Sequence, residues 1–417
     1  MIKIAIVGCG RILNAHLQGY KKLRDAGVDN FRITALVARN MDDARMFARR
    51  GEGPTPRPPV LPPESGDPLA APHTYLSDFQ DDVEVETYVD YREMLAESDV
   101  DAVNDFTTLS LHHQVAQAAL GSDRHLLTQK PLAISVAAAR QMVDLAAQRN
   151  LTLGTFENVR QGRFTRAAGW AVRKGLIGEP QMALIGSLGG FWSPDKVAAD
   201  TPWRHHKLEG GGGGSIDIGV HQFHLLRYVF GEVDWVSAAT RTFEPTRYLR
   251  DGEGTIIETV SADVDDTYLA MAGFRNGALG QLLWSWAGHG PPLTIPNAPA
   301  FYGSEGSISG GRLVSDQGIE APLLDIFDAQ LGAAERADFF PLGLTDPYAI
   351  QQLDWLRSIE EGNDPETSGK EGLHDLACAF GMLESAAARR QVTLDEVLAG
   401  AVSEYQREID LHFDIKG

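Results

Sequence analysis

The first two dozen residues constrain the fold more than any other segment of the chain. Ile2 to Val7 form a run that is apolar on both faces, which is typical of a central strand in a parallel sheet covered by helices on both sides. Gly8-Cys9-Gly10 follow at once, and apolar residues then recur at helical spacing from Leu13 to Leu23. The segment therefore predicts a strand, a glycine turn and a helix in direct succession.

This succession is the setting in which a glycine loop can hold a dinucleotide, because glycine lets the backbone approach a pyrophosphate at the helix N-terminus. A plain tight turn is the alternative, since Leu13 stands where the usual G-x-G-x-x-G/A pattern has its third small residue. The context favours the cofactor loop. We expect four residues of this loop to contact the cofactor: Gly8, Gly10, Arg11 and Ile12.

The end of the second strand bears on the choice between NAD and NADP. An NAD-specific enzyme normally has a carboxylate there, which binds the ribose 2′-hydroxyl. Here the segment is Leu36-Val37-Ala38-Arg39-Asn40, with a guanidinium in place of the acid. Arg39 would suit the 2′-phosphate of NADP, although a solvated arginine at a helix start is the alternative. The sequence favours NADP, with Ala38 and Arg39 as contacts.

The alternation of strands and helices continues over the first third of the chain. Strand-like runs occur at Phe31 to Ala38, Asp101 to Phe106 and His125 to Thr128, and a helical pattern occurs at His112 to Leu120. Such alternation predicts an α/β fold with a doubly wound parallel sheet. We place this Rossmann domain at residues 1–150.

One segment interrupts the alternation. Gly51 to Pro72 contains eight prolines, which remove backbone donors and disfavour both helices and central strands. An inserted loop is the favoured interpretation. A proline-rich ligand for a partner domain is the alternative, because PxxP spacings occur at Pro56 to Pro59 and at Pro59 to Pro62.

The remainder of the chain, residues 151–417, has a different pattern. Strand-like runs dominate at Met182 to Ser187, Val233 to Thr242, Thr267 to Phe274 and Ala278 to Trp286. They predict a second α/β domain with a large, mostly antiparallel open sheet. An apolar helical face from Leu373 to Ala387 predicts a C-terminal helix, and we expect the C-terminal helices to pack back towards the Rossmann domain.

Composition excludes several classes of partner. The chain has 37 Lys and Arg against 57 Asp and Glu, a formal charge of -20, which disfavours nucleic acids and anionic membranes. Two cysteines suit a reducing compartment, and no apolar run has the length of a signal peptide core or a membrane span. We therefore expect a cytoplasmic protein.

Two segments carry residues suited to catalysis. Thr128-Gln129-Lys130-Pro131 places Lys130 at the carboxyl end of a predicted parallel strand, where ligands of such folds bind. Further on, a run of five glycines leads to Asp217 and His221, which would share one face of a helix. A metal site of Asp217, His221 and His205 or His206 is an alternative that leaves Lys130 unexplained, and we expect no metal.

Short motifs in a fixed order relate the chain to a known family. The motifs are Gly8-x-Gly10, Lys130-Pro131, Glu157-Asn158-Val159-Arg160, Gly175-Leu176-Ile177-Gly178, Trp203-Arg204, Gly211-Gly212-Gly213, Asp217-x-Gly219-x-His221 and Gly303-Ser304-Glu305-Gly306-Ser307. In this order they resemble the glucose-fructose oxidoreductase, inositol dehydrogenase and MocA family (Gfo/Idh/MocA), over nearly the whole chain.

The resemblance implies an NAD(P)-dependent dehydrogenase or reductase acting on CH-OH groups of a sugar, inositol, anhydrosugar or glycoside. It implies catalysis by Lys130, Asp217 and His221. Oxidation of a secondary alcohol needs a proton acceptor, which an imidazole provides at neutral pH, and a donor to the developing alkoxide, which an ammonium provides. A homodimer or homotetramer formed through the C-terminal sheet is also implied.

Further site residues follow from the same resemblance. Thr107, Gln129 and Lys130 are expected beside the cofactor. The expected substrate contacts are Lys130, Arg160, Arg163, Trp203, Arg204, Asp217 and His221, with His289 as a weaker candidate. An aromatic face and hydrogen-bond donors are what a sugar requires.

Two positions depart from the family pattern, and two other functions stay open. Gln129 stands where the family usually has Glu, and His224 stands where it usually has Asp. One alternative function is an NAD-dependent glycosidase that oxidises C3 transiently and eliminates the aglycone. The other is a non-catalytic cofactor sensor or scaffold.

Overall fold

The structure is a computed structural model that describes residues 1–189, 201–251, 253–289, 291 and 293–416. The chain divides into two compact units. The first contains Met1–Leu132, Ala139–Gln161 and Ala337–Gly372. The second contains Ala133–Ala138, Gly162–Arg336 and Leu373–Gly417. Neither unit is continuous in sequence.

The strands and helices are labelled here in chain order. The strands are β1 (Ile2–Val7), β2 (Phe31–Val37), β3 (Glu86–Tyr88), β4 (Ala102–Asp105), β5 (His125–Gln129), β6 (Leu153–Phe156), β7 (Pro180–Leu188), β8 (Val233–Arg241), β9 (Thr246–Arg250), β10 (Ile256–Ser261), β11 (Thr267–Phe274), β12 (Leu279–Ser285), β13 (Leu293–Thr294), β14 (Ala300–Gly303), β15 (Gly306–Ser309), β16 (Arg312–Ser315), β17 (Glu320–Pro322) and β18 (Val392–Thr393). The helices are α1 (Leu13–Asp25), α2 (Met41–Ala48), α3 (Tyr91–Glu97), α4 (Leu109–Gly121), α5 (Val136–Arg149), α6 (Arg163–Arg173), α7 (Lys207–Gly210), α8 (Gly214–Asp217), α9 (Gly219–Phe230), α10 (Leu323–Gln330), α11 (Ala333–Phe339), α12 (Pro347–Glu361), α13 (Gly369–Ala388), α14 (Leu394–Leu398) and α15 (Arg407–His412).

The first unit is organised around a parallel sheet. Among the described residues six strands form it, in the order β3-β2-β1-β4-β5-β6. Each neighbouring pair is parallel. This is the strand order of a dinucleotide-binding Rossmann fold, in which the direction of winding reverses between β1 and β4. The predicted doubly wound parallel sheet is confirmed.

Burial explains why the first βα unit forms where the sequence predicts it. Ile4 and Ile6 of β1 are fully buried, and so are the helical residues Leu13 and Leu17. Each such side chain contributes about 1.5–3 kcal/mol by leaving water. Tyr20 is also fully buried, and its hydroxyl donates a hydrogen bond to Asn104 Oδ1 at 2.6 Å. Leu13, which stands where the glycine pattern usually has its third small residue, is therefore a core residue of this unit.

The proline-rich insertion is confirmed as a loop. From Gly51 to Pro72 it contains two short 3-10 turns, Pro63–Ser65 and Pro68–Ala70, and no α-helix or β-strand. It is nevertheless packed, since Leu61 and Ala70 are buried. The side-chain amide of Gln18 in α1 donates to the carbonyl of Pro72 at 3.2 Å. The insertion is thus a fixed part of the first unit.

The second unit is organised around a large mixed sheet. The path β17-β16-β15-β14-β7-β12-β11-β8-β18 together with β13 makes ten strands within the described residues. Its pairs are antiparallel except for β7 with β12, which are parallel. Along β11, Leu269 and Met271 are more than half exposed, whereas Tyr268 and Ala272 are fully buried. One face of the sheet therefore lies against the core of the unit and the other is open, as predicted.

The C-terminal helical pattern forms α13, as predicted, with small differences at its ends. Leu376, Ala377 and Phe380 are fully buried, while Leu373 is only half-buried and Ala387 is exposed. Within the described ranges, every helix of the chain is too short or too polar to cross a lipid bilayer.

A buried charged network ties α9 to α13 inside the second unit. Asp375 Oδ2 lies 2.6 Å from His224 Nδ1, and its Oδ1 lies 2.6 Å from Arg227 Nη1. Burial alone would raise the pKa of Asp375, but His224 and Arg227 outweigh it and hold that pKa at about 2. His224, which departs from the family pattern, is therefore a buried residue that contacts a carboxylate on α13.

We expect Asp375→Asn to lower the free energy of unfolding at pH 7 by about 3–5 kcal/mol, because it removes the buried carboxylate partner of Arg227 and leaves that cation with Glu232, whose side chain is 44% exposed. The depressed pKa stabilises the fold above the ordinary value of 3.8, and this contribution is lost as the pH falls towards about 2. Urea unfolding followed by circular dichroism at pH 7 measures the difference.

The matched control is Asp395→Asn, because Asp395 pairs with Arg275 while its side chain is 76% exposed. Exposed pairs of this kind contribute about 0–1 kcal/mol. Equal stability of the Asp375 and Asp395 variants would show that the buried network does not stabilise the unit.

Candidate active site

The glycine loop after β1 fits a pyrophosphate. Gly8 has φ +107, and a Cβ on it would lie 2.5 Å from the carbonyl carbon and oxygen of Phe106, so no other residue fits at this strand end. Nothing lies within 4 Å of the position that a Cβ of Gly10 would take. The first turn of α1 contains no acidic residue. The loop therefore offers an open backbone surface at a helix N-terminus without a repelling carboxylate.

The end of β2 borders the same edge of the sheet. Ala38 is buried, and its N–H donates to the carbonyl of Tyr88 at 3.1 Å. Arg39 is exposed. Asn40 caps α2, since its Oδ1 accepts the N–H of Asp43 at 2.8 Å. The cap fixes the backbone on which the Arg39 guanidinium extends into solvent.

A group of buried polar residues links the carboxyl ends of β4 and β5. Asp105 Oδ1 accepts hydrogen bonds from the N–H and hydroxyl of Thr107, at 3.0 and 2.7 Å. Burial raises the pKa of Asp105. The His112 ring lies between two carbonyl oxygens, with Nδ1 2.9 Å from Pro131 O and Nε2 3.3 Å from Thr107 O. These contacts hold Thr107 next to the turn that contains Lys130.

Lys130 directly follows β5, and the Lys130-Pro131 peptide is cis. Gln129 Oε1 accepts the Lys130 N–H at 3.1 Å, and Gln129 Nε2 lies 3.5 Å from His16 Nε2. His16 is fully buried and stacks on Phe106 at 3.6 Å, and burial holds its pKa well below the ordinary value. An amide at position 129 thus meets a neutral imidazole.

In the second unit, Asp217 and His221 lie on consecutive helical segments. The prediction of one continuous helix is wrong, because α8 ends at Asp217 and α9 begins at Gly219. The N–H of His221 donates to the carbonyl of Ile218 at 3.1 Å, three residues back, which tightens the chain at this point. Both side chains are half-buried.

Asp217 is brought together with two predicted substrate contacts. Its Oδ2 lies 3.2 Å from Arg204 Nε, and the Arg204 guanidinium lies 4.3 Å from the centre of the Trp203 ring. The side chains of Arg204 and Asp217 are 18% and 15% exposed, so both retain some access to solvent. An aromatic face, a cation and a carboxylate therefore form one cluster.

Asp265 holds the glycine run that precedes these residues. Its carboxylate accepts the N–H of Gly213 at 3.0 Å, the N–H of Ser215 at 2.9 Å and the Ser215 hydroxyl at 2.7 Å. A Cβ on Gly213 would lie 1.6 Å from the Asp265 carbonyl oxygen. At Gly213 the glycine is therefore required by a close approach to the backbone of the loop that precedes β11.

The other predicted substrate contacts pair with carboxylates. In the first unit Arg160 is buried, with Nη2 3.1 Å from Glu371 Oε2. In the second, Arg163 Nη2 lies 2.5 Å from Asp328 Oδ2, and His289 pairs with Glu244 at 2.8 Å while 78% exposed. Their substrate roles stay predictions. In the part of the chain that the structure describes, no cluster of His, Cys, Asp or Glu is arranged to hold a metal ion.

Sequence reasoning missed Asp105, His112 and Asp265. The first two lie in the strand and helix patterns quoted for β4 and α4, where a buried carboxylate and an imidazole stand among apolar residues. That contrast is a usable signal, because a buried charge needs a partner. Asp265 lies about fifty residues from the turn that it holds, and no local pattern reveals such a contact.

Comparisons with known proteins agree with this geometry. Residues 70–156 match the model described as an oxidoreductase family with an NAD-binding Rossmann fold, and residues 165–309 match the GFO/IDH/MocA C-terminal domain. Together these matches cover more than half of the chain. The chain therefore belongs to the Gfo/Idh/MocA family of NAD-binding oxidoreductases.

Several characterised relatives align over most of their length. A 1,5-anhydro-D-fructose reductase from Ensifer adhaerens is 27% identical, over 71% of this chain and 80% of its own. A levoglucosan dehydrogenase from Pseudarthrobacter phenanthrenivorans is 26% identical, over 74% and 84%. A myo-inositol 2-dehydrogenase from Thermotoga maritima is 26% identical, over 75% and 85%. All three are named as oxidoreductases, and the present chain is an enzyme of that class.

Solved structures confirm the fold. A levoglucosan dehydrogenase in complex with NADH and L-sorbose superposes with a TM-score of 0.70 at 21% identity, and the match covers 96% of this chain and all of the other. A Rossmann sheet followed by a large mixed sheet is thus the shared architecture.

We expect Asp265→Asn to lower kcat by about 10- to 100-fold with little change in the KM of the cofactor, because it loosens the turn that leads into Asp217 and His221. Steady-state kinetics with the sugar that the wild type oxidises best measures this split. Asp234→Asn, an exposed change on β8, is the control. An unchanged kcat, or a loss confined to the KM of the cofactor, would contradict the positioning role.

Proposed function

We propose that the enzyme transfers a hydride between NADP and a secondary hydroxyl of a sugar, inositol, anhydrosugar or glycoside. One observation carries the proposal: a glycine loop open to a pyrophosphate and Lys130 lie at the carboxyl edge of the same parallel sheet. The relatives named above act on an anhydrosugar ketone, an anhydrosugar and an inositol, which supports a cyclic polyhydroxylated substrate.

The proposed chemistry assigns one task to each residue. The nicotinamide ring, when bound, accepts or returns the hydride. Lys130 donates a hydrogen bond to the oxygen of the reacting hydroxyl and stabilises negative charge on it. His221 accepts the hydroxyl proton, and Asp217 orients one of these two groups. The cluster with Trp203 and Arg204 supports Asp217 as part of a sugar-binding surface.

The other proposed substrate contacts differ in the partners that their side chains already have. Trp203 offers an apolar face, and Arg204 places a cation between that face and Asp217. Arg160 and Arg163 are the weaker substrate contacts, because their guanidinium groups pair with carboxylates. Gly8, Gly10, Arg11, Ile12, Ala38, Arg39, Thr107, Gln129 and Lys130 form the proposed cofactor surface.

A second copy of the chain is the proposed protein partner. Met182, Leu269, Met271 and Leu279 are each more than half exposed on the open face of the mixed sheet. Apolar patches of this kind mark interaction surfaces, and isologous pairing is the commonest way for a chain to cover one. A homodimer or homotetramer would bury it.

The test of the overall proposal is a screen of inositols, hexoses, anhydrosugars and glycosides with NAD and with NADP, in both directions. Absorbance at 340 nm reports net hydride transfer. Release of nitrophenol from nitrophenyl glycosides without added cofactor and without net absorbance change would instead establish the glycosidase reaction. The absence of both an absorbance change and nitrophenol release would favour the non-catalytic sensor or scaffold function.

We expect Lys130→Ala and His221→Ala each to lower kcat at least 100-fold, because a positioned acid or base contributes about 10²- to 10⁴-fold. For His221→Ala, the affinity for NADPH should change far less than kcat does. Lys174→Ala is the control, since Lys174 pairs with Glu335 at an exposed position. A variant within threefold of the wild type would refute the role of that residue.

We expect Arg39→Ala to lower kcat/KM for NADP by about 10- to 100-fold while leaving kcat/KM for NAD within twofold, because a guanidinium on a phosphate contributes about 1.5–3 kcal/mol. Arg45→Ala, an exposed change on α2, is the control. Equal wild-type kcat/KM for the two cofactors, unaltered in Arg39→Ala, would rule out the preference.

A further inference from the structure

The proline-rich insertion brings a guanidinium to the glycine loop. Arg57 Nη2 donates a hydrogen bond to the carbonyl of Cys9, the residue between the two glycines, at 2.8 Å. The same nitrogen lies 3.3 Å from Asp43 Oδ1 in the first turn of α2. Arg57 is thus fixed beside the carboxyl ends of both β1 and β2 by contacts that span the loop and the following helix.

The chain that follows Arg57 is held by two hydrogen bonds that backbone N–H groups donate. The N–H of Val60 donates to the carbonyl of Leu69 at 3.1 Å, which closes the insertion on itself. Downstream, the N–H of Thr74 donates to Asn14 Oδ1 of α1 at 3.3 Å. Residues of the glycine loop, α1, α2 and the insertion line one small cavity, among them Gly10, Asn14, Phe47 and Arg57.

The location is the one where Rossmann enzymes bind the adenosine ribose. In these folds the residue at the end of β2, or an arginine nearby, contacts the 2′ position of that ribose. Arg57 lies at this edge although it is 18 residues beyond Arg39 in the sequence. Its side chain is 36% exposed, so it lies neither in the core nor wholly in solvent.

The guanidinium has donors to spare for a ligand. A guanidinium carries five N–H groups, and the contacts with Cys9 and Asp43 both use Nη2. The three N–H groups on Nε and Nη1 take part in neither contact. Arg57 also offsets the Asp43 carboxylate, which would otherwise repel a phosphate at the start of α2.

We propose that Arg57 is a cofactor-binding residue that hydrogen-bonds the 2′-phosphate of NADP, so that the proline-rich insertion is a functional part of the dinucleotide site. The inference rests on the NADP preference proposed above and adds a second cation to Arg39. If Arg57 only fixes the glycine loop, its replacement by alanine weakens the binding of all adenine nucleotides alike. If Arg57 contacts the 2′-phosphate, the replacement weakens the binding only of those nucleotides that carry this phosphate.

The experiment measures binding by calorimetry with four probes: 2′,5′-ADP, 5′-AMP, NADPH and NADH. We expect Arg57→Ala to raise the Kd of 2′,5′-ADP and of NADPH at least tenfold, and to change the Kd of 5′-AMP and of NADH less than twofold. Arg57→Lys should recover part of the loss, because it keeps the charge without the planar fork. Arg49→Ala is the control, since Arg49 is exposed and its ion pair with Glu52 is long, at 3.9 Å between Nε and Oε1.

Each result has one meaning. Equal weakening of all four probes by Arg57→Ala, or no weakening of any, overturns the assignment of Arg57. A wild type that binds NADH as tightly as NADPH overturns the NADP preference and Arg57's role with it. A wild type that prefers NADPH, with the preference intact in Arg57→Ala and lost in Arg39→Ala, overturns the Arg57 role alone. Thermal unfolding confirms that each variant is folded.

Discussion

The close approach of β1 to β4 at Gly8 is the constraint on which the rest of the first unit depends. The N–H of Gly8 donates to Val37 at 2.8 Å, and the N–H of Phe106 donates to Val7 at 2.7 Å, so the ends of three strands meet there. The missing side chain lets the loop turn directly over the sheet edge. Three features lie close to that point in the chain: the start of α1, the Cys9 carbonyl that accepts a hydrogen bond from Arg57, and Thr107 with its contacts to Asp105 and His112.

Local patterns predicted most of the secondary structure. The bounds of β1 and β11 agree with the sequence prediction residue for residue, because strand burial imposes a regular apolar pattern. The break at Ile218, between α8 and α9, left no such periodic signal. The contact of Arg57 with the glycine loop spans 48 residues, and no periodicity encodes it. The site was therefore predictable by residue type and only partly by arrangement.

His224 and Arg227 on α9 share the carboxylate of Asp375 on α13, which lies 151 residues beyond His224 in the sequence. A buried charge is tolerated only when it is paired, so these side chains depend on one another. The sequence identified His224 as a departure from the family pattern, but no local pattern identified the residue that it contacts.

The eight prolines of the insertion have a consequence for chain entropy. A proline ring restricts the backbone in the unfolded state as much as in the folded one, so ordering such a segment loses fewer conformations than ordering a chain of ordinary residues. A loop without α-helices or β-strands can then hold one arginine in a defined place with few contacts. The insertion can therefore keep its place beside the glycine loop without an extensive core, because its prolines already restrict the unfolded chain.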